Sequence, residues 1–288
     1  MQELHPYVVG IQIGSHINQV PLGDPSLFKV FEACERLGAC VFVHPWDMAG
    51  EDRMHKYWLP WLVGMPADTS FAICSLMFSG VFTKLPKLRV CFAHGGGSFP
   101  GTFGRIEHGF NCRPDLVACD CPVPPREQLG RFYVDSLTHD PDALLAVLKL
   151  VGHDRVCLGS DYPFPLGEVM PWSPGGPGSM VEGMTSLSEE QKAKILWSNV
   201  LEFLGLQGRS DFFLGKNRAA IMRAATAPSG LASGTPPASG PQATPLSTGK
   251  VCRLPHDCLA SAPLATPLCL AFCWRLLPGL KPARLAGW

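Results

Sequence analysis

The sequence lacks the long uninterrupted run of apolar side chains that a membrane span requires. The apolar stretch 259–280 is broken by Pro263, Pro267, Arg275 and Pro278, and no run in it approaches the roughly 18 residues that cross a bilayer. No positively charged segment followed by an apolar one opens the chain, as it would in a secretory signal. We therefore predict neither a membrane span nor a membrane partner.

Phosphate-binding motifs are also absent, although three consecutive glycines are present. Gly95–Gly97 follow His94, but they show neither the G-x-G-x-x-G spacing nor the closing Lys-Ser/Thr pair of a phosphate-binding loop. No internal repeat of about 20 to 50 residues is visible. We interpret the glycines as backbone that leaves room for a ligand beside His94.

Cysteine, in contrast, is abundant, with twelve in the chain. Cys40, Cys74, Cys91 and Cys157 fall inside predicted strands or helices. This placement is typical of buried thiols in a reducing compartment rather than of a disulfide framework. We therefore predict a cytosolic location.

Charge is unevenly distributed although its sum is zero. Residues 214–288 contain eight Lys or Arg against one acidic residue, Asp257, so this tail carries eight minus one, +7, and the body −7. Ten of the 28 prolines also lie there, among Ala, Ser, Thr and Gly. Such a composition buries too little apolar area to offset the entropy of ordering. We predict a folded domain over 1–213 and a disordered tail over 214–288.

Three segments carry the signals of a helix start and a helix stop. Each opens with a capping side chain followed by a proline or a capping box, and each ends at a glycine after an apolar stripe of helical period. They are 24–38 and 140–152, which open with Asp-Pro, and 188–205, in which Gln191 follows Ser188 at capping-box spacing.

Short, continuously apolar runs separate these helices and indicate strands that are buried on both faces, as in a parallel sheet covered by helices. The predicted class is therefore α/β. A closed (β/α)8 TIM barrel has eight strands and about 250 residues, so we expect an incomplete barrel with about five of them. The Gly- and Pro-rich stretch 170–183 is predicted to be a loop near the site. The predicted strands are 8–13, 39–43, 88–93, 132–135 and 155–159.

Polar residues follow three of these runs, where the carboxyl ends of barrel strands place the chemistry. His44 follows the second run, His94 the third and Asp161 the fifth. Two histidines and a carboxylate predict a metal-assisted reaction, although a catalytic zinc usually needs three protein ligands. Each residue alone also has a plainer interpretation: a packed core histidine, a loop histidine or a turn aspartate.

Further candidates remain ambiguous from sequence. The aromatic stretch 57–61 is either a pocket wall or packing bulk, and Arg105 either binds a substrate carboxylate or lies on a solvated helix face. Cys252, His256 and Cys258 fit no structural-zinc spacing.

Several strings of residues together resemble metal-dependent decarboxylases of the amidohydrolase superfamily, which are (β/α)8 barrels. The likeness covers about residues 1–213. The strings are 10–14 (GIQIG), 44–48 (HPWDM), 56–66 (KYWLPWLVGMP), 91–97 (CFAHGGG) and 161–168 (DYPFPLGE).

The resemblance implies roles for individual residues. By motif match, His44 and Asp161 are zinc ligands and His94 is the acid/base that activates water. Arg105 matches an arginine that reaches a neighbouring subunit's substrate carboxylate. The residues implied to line the pocket are Met48, Trp61 and Phe164.

The resemblance also implies an activity. It points to a cytosolic, homodimeric, zinc-dependent, non-oxidative decarboxylase in the kynurenine route of tryptophan catabolism. Its substrate would be an unstable semialdehyde dicarboxylate, whose removal limits quinolinate and NAD formation. Nucleic acid and membrane are not among the expected partners.

One departure from the family pattern leaves alternatives open. Members carry an H-x-H pair on the first barrel strand as further zinc ligands, and none occurs among the nine histidines here. The first three strands, with a substrate-binding arginine, also have no counterpart. We therefore keep three hypotheses: the decarboxylase itself, a non-catalytic dimerisation or regulatory fragment, and a related aromatic acid decarboxylase or hydrolase.

Overall fold

Parallel strands in chain order form the main sheet of the computed structural model, which describes residues 9–168 and 175–208. Its five strands lie side by side in chain order, and every neighbouring pair is parallel. This arrangement confirms the predicted α/β class and the incomplete barrel. The strands are β1 (Gly10–Ile13), β4 (Cys40–Val43), β5 (Val90–Phe92), β6 (Tyr133–Asp135) and β7 (Val156–Cys157).

Burial distinguishes the inner strands from the first one. All residues of β4 to β7 are buried, as their continuous apolarity predicts. In β1, by contrast, Gln12 is exposed and the other residues are only partly buried. The prediction of two buried faces is therefore wrong for β1, because this strand pairs only with β4 among the strands described.

The three predicted helices are present with their predicted starts. Asp24 caps a 3-10 turn that leads into α1 (Phe28–Leu37), and Asp140 caps α7 (Pro141–Val151). Ser188 and Gln191 form the predicted capping box. The third helix is not uniform, because α9 (Glu189–Ala193) passes through a π turn, Lys194–Ser198, into α10 (Asn199–Leu204).

Other elements were not predicted. An antiparallel hairpin joins β2 (His16–Ile17) to β3 (Val20–Pro21). The stretch 170–183 was predicted to be a loop, but residues 179–183 form a helix, so the prediction is wrong there. Gly178, whose backbone is left-handed, precedes the first turn of this helix. The further helices are α2 (Met65–Phe78), α3 (Val81–Lys84), α4 (Phe99–Cys112), α5 (Pro114–Val117), α6 (Pro125–Gln128) and α8 (Ser179–Gly183).

The helical stretch Pro60–Phe78 is long and apolar enough to cross a membrane, judged by length and composition alone. Eight residues of α2 are buried, and Ile73 and Leu76 are fully buried in the core cluster that contains Val90 and Phe92. A core helix of a globular domain meets the same criterion, so this helix is weak evidence for a membrane.

Eight cysteines of the described ranges are free, and Cys40, Cys91 and Cys157 are buried at the sheet while Cys74 is partly buried. Burial raises the pKa of the Cys40 thiol to about 12 and that of Cys74 to about 11.

The predicted tail 214–288 lies outside the described residues. The apolar stretch 259–280 and the candidate residues Cys252, His256 and Cys258 lie outside them too.

Candidate metal centre

The three polar residues that follow separate strands meet at one point. His44 comes directly after β4, His94 shortly after β5 and Asp161 shortly after β7, and one ligand atom of each lies within 4.8 Å of the others. Asp161 Oδ1 is 3.0 Å from His44 Nε2 and 3.5 Å from His94 Nε2. The two imidazole rings meet edge to face, with centroids 4.9 Å apart.

Two of these residues have an unusual backbone. The φ angles of His94 and Asp161 are 58° and 51°, in the left-handed region that residues with a Cβ rarely occupy. Such strain persists only where the surrounding structure enforces it, and it concentrates at functional sites. Gly97 is also required here, because a Cβ on it would lie 2.3 Å from the Pro66 carbonyl oxygen.

The charges of the cluster reinforce one another. Burial opposes ionisation of Asp161, but hydrogen bonds from His44 and His94 outweigh it and lower the pKa of this carboxyl to about 2. Burial alone would lower the pKa of His94, yet Asp161 and the buried Asp135 raise it above its usual value. The cluster therefore keeps Asp161 ionised beside the imidazole nitrogens of His44 and His94.

This donor set fits a divalent metal ion. Two imidazoles and one carboxylate are borderline to hard ligands that zinc and similar divalent ions accept. The side chains of His44 and Asp161 are only 13% and 8% exposed, so the ion would be largely shielded from solvent. The separate roles of His44 and Asp161 as ligands and of His94 as acid/base stay predictions, because the geometry places all three at ligand distance.

The other candidate residues differ in their exposure and in their contact with the cluster. Phe164 stacks on the His44 ring, with centroids 5.9 Å apart and planes at 26°. Met48 is buried against Gly64, and Trp61 stacks on Trp58 at 5.9 Å in the partly exposed turn before α2. Arg105 is exposed on α4. Phe164 thus contacts the cluster directly, and Arg105 is not part of it.

Two residues of the site were missed by the sequence analysis. Asp135 ends β6, is buried, and accepts a hydrogen bond of 2.8 Å from Gly95 N. His139 has a left-handed φ of 59°, and burial together with the charge of His94 lowers its pKa. A signal for Asp135 was available, because it is the polar residue at the carboxyl end of a predicted strand, as His44 is.

The amidohydrolase family model matches residues 2–206 of the chain. The chain belongs to the amidohydrolase family. Its curated relatives include the 2-amino-3-carboxymuconate-6-semialdehyde decarboxylases of Dictyostelium discoideum, 60% identical over 197 residues, and Caenorhabditis elegans, 46% identical over 174 residues. These alignments cover 68% and 60% of this chain but only 53% and 42% of those relatives. This amidohydrolase thus spans about half the length of the curated relatives it matches.

Solved structures support the same fold. The apo form of Metarhizium anisopliae IDCase is similar with a TM-score of 0.60 and 28% identity, over 69% of this amidohydrolase and 57% of that chain. The 5-carboxyvanillate decarboxylase of Sphingomonas paucimobilis has a TM-score of 0.59 at 23% identity, over 68% and 58% of the two chains.

Proposed function

We propose that the site of this chain is that of a non-oxidative decarboxylase acting on 2-amino-3-carboxymuconate 6-semialdehyde, which yields 2-aminomuconate 6-semialdehyde and carbon dioxide. The observation that carries this proposal is the convergence of His44, His94 and Asp161 at the strand ends. Relatives of that name at 60%, 46% and 38% identity support the choice of substrate. The reaction would belong to cytosolic kynurenine catabolism and would limit quinolinate and NAD formation.

The chemistry follows from the residues around the cluster. His44 and Asp161 would hold zinc, which when bound supplies Lewis-acid stabilisation of negative charge and acidifies water in the site. His94 moves the proton: as carbon dioxide leaves, the electron pair of the broken carbon–carbon bond takes a proton at the same carbon. Phe164, stacked on His44, limits access of bulk water.

A homodimer is part of the proposal. The helical stretch 60–78 exposes Leu62, Val63 and Phe71 by 49%, 56% and 50%, and it packs beside α4, which exposes Arg105. Exposed apolar side chains next to a cation are what a partner subunit would cover if Arg105 reached its substrate carboxylate.

Subunit mixing tests the role of Arg105. In chains extended to full barrel length, we expect Arg105→Ala and His94→Ala each to lose turnover. Their mixture should regain part of it, because one site of the heterodimer holds both intact groups. Absence of complementation after verified subunit exchange would place Arg105 in its own subunit's site or on the surface.

A substrate panel tests the function itself. The freshly generated semialdehyde, γ-resorcylate and a hydrolysable amide are offered with added zinc to the chain extended to full barrel length, and to the full-length Dictyostelium discoideum relative as positive control. γ-Resorcylate is included because the decarboxylase of that name from Rhodococcus jostii is 29% identical to the chain. Preference for γ-resorcylate or the amide would replace the proposed substrate, and turnover of none would favour a non-catalytic dimerisation fragment.

A further inference from the structure

Asp135 is buried beside the cluster of His44, His94 and Asp161 and has no role in the proposed chemistry. It ends β6, the strand between the one that leads to His94 and the one that leads to Asp161. Only 3% of the residue is exposed. A carboxylate this deeply buried needs hydrogen-bond donors to be tolerated.

Those donors come from the backbone beside His94. Asp135 Oδ1 accepts hydrogen bonds from Gly95 N at 2.8 Å and from Leu137 N at 3.1 Å, and the His94 N–H also stabilises the carboxylate. The peptide plane between His94 and Gly95 carries the first of these donors. Fixing that plane sets ψ of His94 and φ of Gly95, and both residues are in the left-handed region, at φ 58° and 62°.

The same carboxylate also contacts the loop that carries Asp161. A Cβ built on Gly159 would lie 2.6 Å from Asp135 Cβ and 2.7 Å from its Oδ2. The Asp135 side chain therefore packs directly on the backbone two residues before Asp161. One buried side chain thus touches the segments that present His94 and Asp161.

We propose that Asp135 is a positioning residue that holds the strained His94 backbone and sets the spacing between His94 and Asp161. This inference rests on the proposed function, in which His94 moves the proton. Asp135 does not reach the reacting atoms. It acts through the Gly95 N–H on one side and through contact with Gly159 on the other.

Hydrogen exchange of the full 288-residue chain tests the proposal without turnover. We compare Asp135→Leu, which removes the acceptor, with Asp135→Asn, which keeps an oxygen, and with Gly159→Ala, which presses a methyl group on the intact carboxylate. Asp68→Asn is the matched control, because Asp68 is another buried aspartate, 3% exposed, that accepts from Ser15 Oγ and Ala49 N.

We expect exchange of the amides at 94–97 to rise roughly tenfold or more in Asp135→Leu, as expected when a buried hydrogen bond is lost. Asp135→Asn should restore most of the protection, Gly159→Ala should raise exchange in the same segment, and Asp68→Asn should leave it unchanged. Unaltered exchange in Asp135→Leu and Gly159→Ala overturns the proposal, and so does an equal rise in Asp68→Asn.

Turnover supplies the second measurement and separates the two proposals. In a form of the chain that decarboxylates the semialdehyde, Asp135→Leu should lower kcat at least about tenfold while KM changes less than about threefold. A rise in KM with kcat unchanged would contradict the proposal that Asp135 positions His94. If no form of the chain decarboxylates, the proposed function fails, and the exchange data alone decide the role of Asp135.

Discussion

His94 lies close enough to His44 and Asp161 to be a third metal ligand, and it is also the proposed acid/base. Substitution of His94 distinguishes these two roles. In a catalytically active form of the chain, His94→Ala should keep the metal and reduce turnover by roughly 10² or more, the usual contribution of a positioned acid/base. Metal content is measured by elemental analysis of the same sample that is assayed, with His44→Ala as the variant that should lose metal. Loss of metal together with activity in His94→Ala would identify it as a ligand.

The amount of bound metal is a second prediction at the residue scale. In the assigned roles only His44 and Asp161 coordinate, and each protein ligand replaced by water weakens a zinc site. The purified 288-residue chain should therefore hold well under one zinc per molecule after dialysis. One tightly held zinc per chain would contradict this and would add His94 or residues outside the described ranges to the ligand set.

At the scale of single elements, the best-defined local feature is the capping box of α9. The Ser188 hydroxyl accepts from Gln191 N at 3.2 Å, while the Gln191 side chain accepts from Ser188 N at 2.9 Å. Ser188→Ala should lower the free energy of unfolding by about 1 kcal/mol. Chemical denaturation measures the change, with Ser186→Ala, an exposed serine just before this helix, as control. An equal loss in both variants would mean that the cap contributes nothing specific.

These capped helices also show how much of the fold the sequence determines locally. Asp24, Asp140 and Ser188 were predictable because a cap depends on residues only two or three positions away. Helix α2 was not, because Phe71 is exposed while Asp68 and Ser70 are buried, so no polar face marks its period. The π turns 60–64 and 194–198 likewise follow from packing and have no local signal.

The site was predictable to the extent that it follows strand ends. His44, His94 and Asp161 converge as expected, because parallel neighbouring strands bring their carboxyl ends to one edge. The role of Asp135 was not predicted, since its partners Gly95 and Gly159 are contributed by the two flanking segments. Their proximity depends on strand order, which no single segment encodes.

At the scale of the whole molecule, the strands that the structure describes are too few to close a barrel. Five parallel strands are described where a closed (β/α)8 barrel has eight, and β1 is only partly covered. Unpaired strand edges and exposed apolar faces promote aggregation. We expect the purified 288-residue chain to be unstable or aggregation-prone and to show no measurable decarboxylase activity.

The assay follows decay of the fresh semialdehyde with zinc added, with a form of the chain extended to eight barrel strands as control. Size-exclusion chromatography of the same samples reports aggregation. Zinc-dependent turnover of the short chain near the rate of the extended form would show that the described strands suffice.

The placement of His44 and Asp161 has a consequence for folding. They are 117 residues apart in sequence and meet only when β4 and β7 are in the same sheet. An ion that binds both side chains therefore binds the native state and not the unfolded chain. Binding to the native state adds RT ln(1 + [M]/Kd), about 2.7 kcal/mol at a hundredfold excess over Kd. Because the site is expected to bind weakly, this gain arises only at high free metal. The melting temperature of the chain should therefore rise with the concentration of free metal, and a chelator should return it to the value of the metal-free chain.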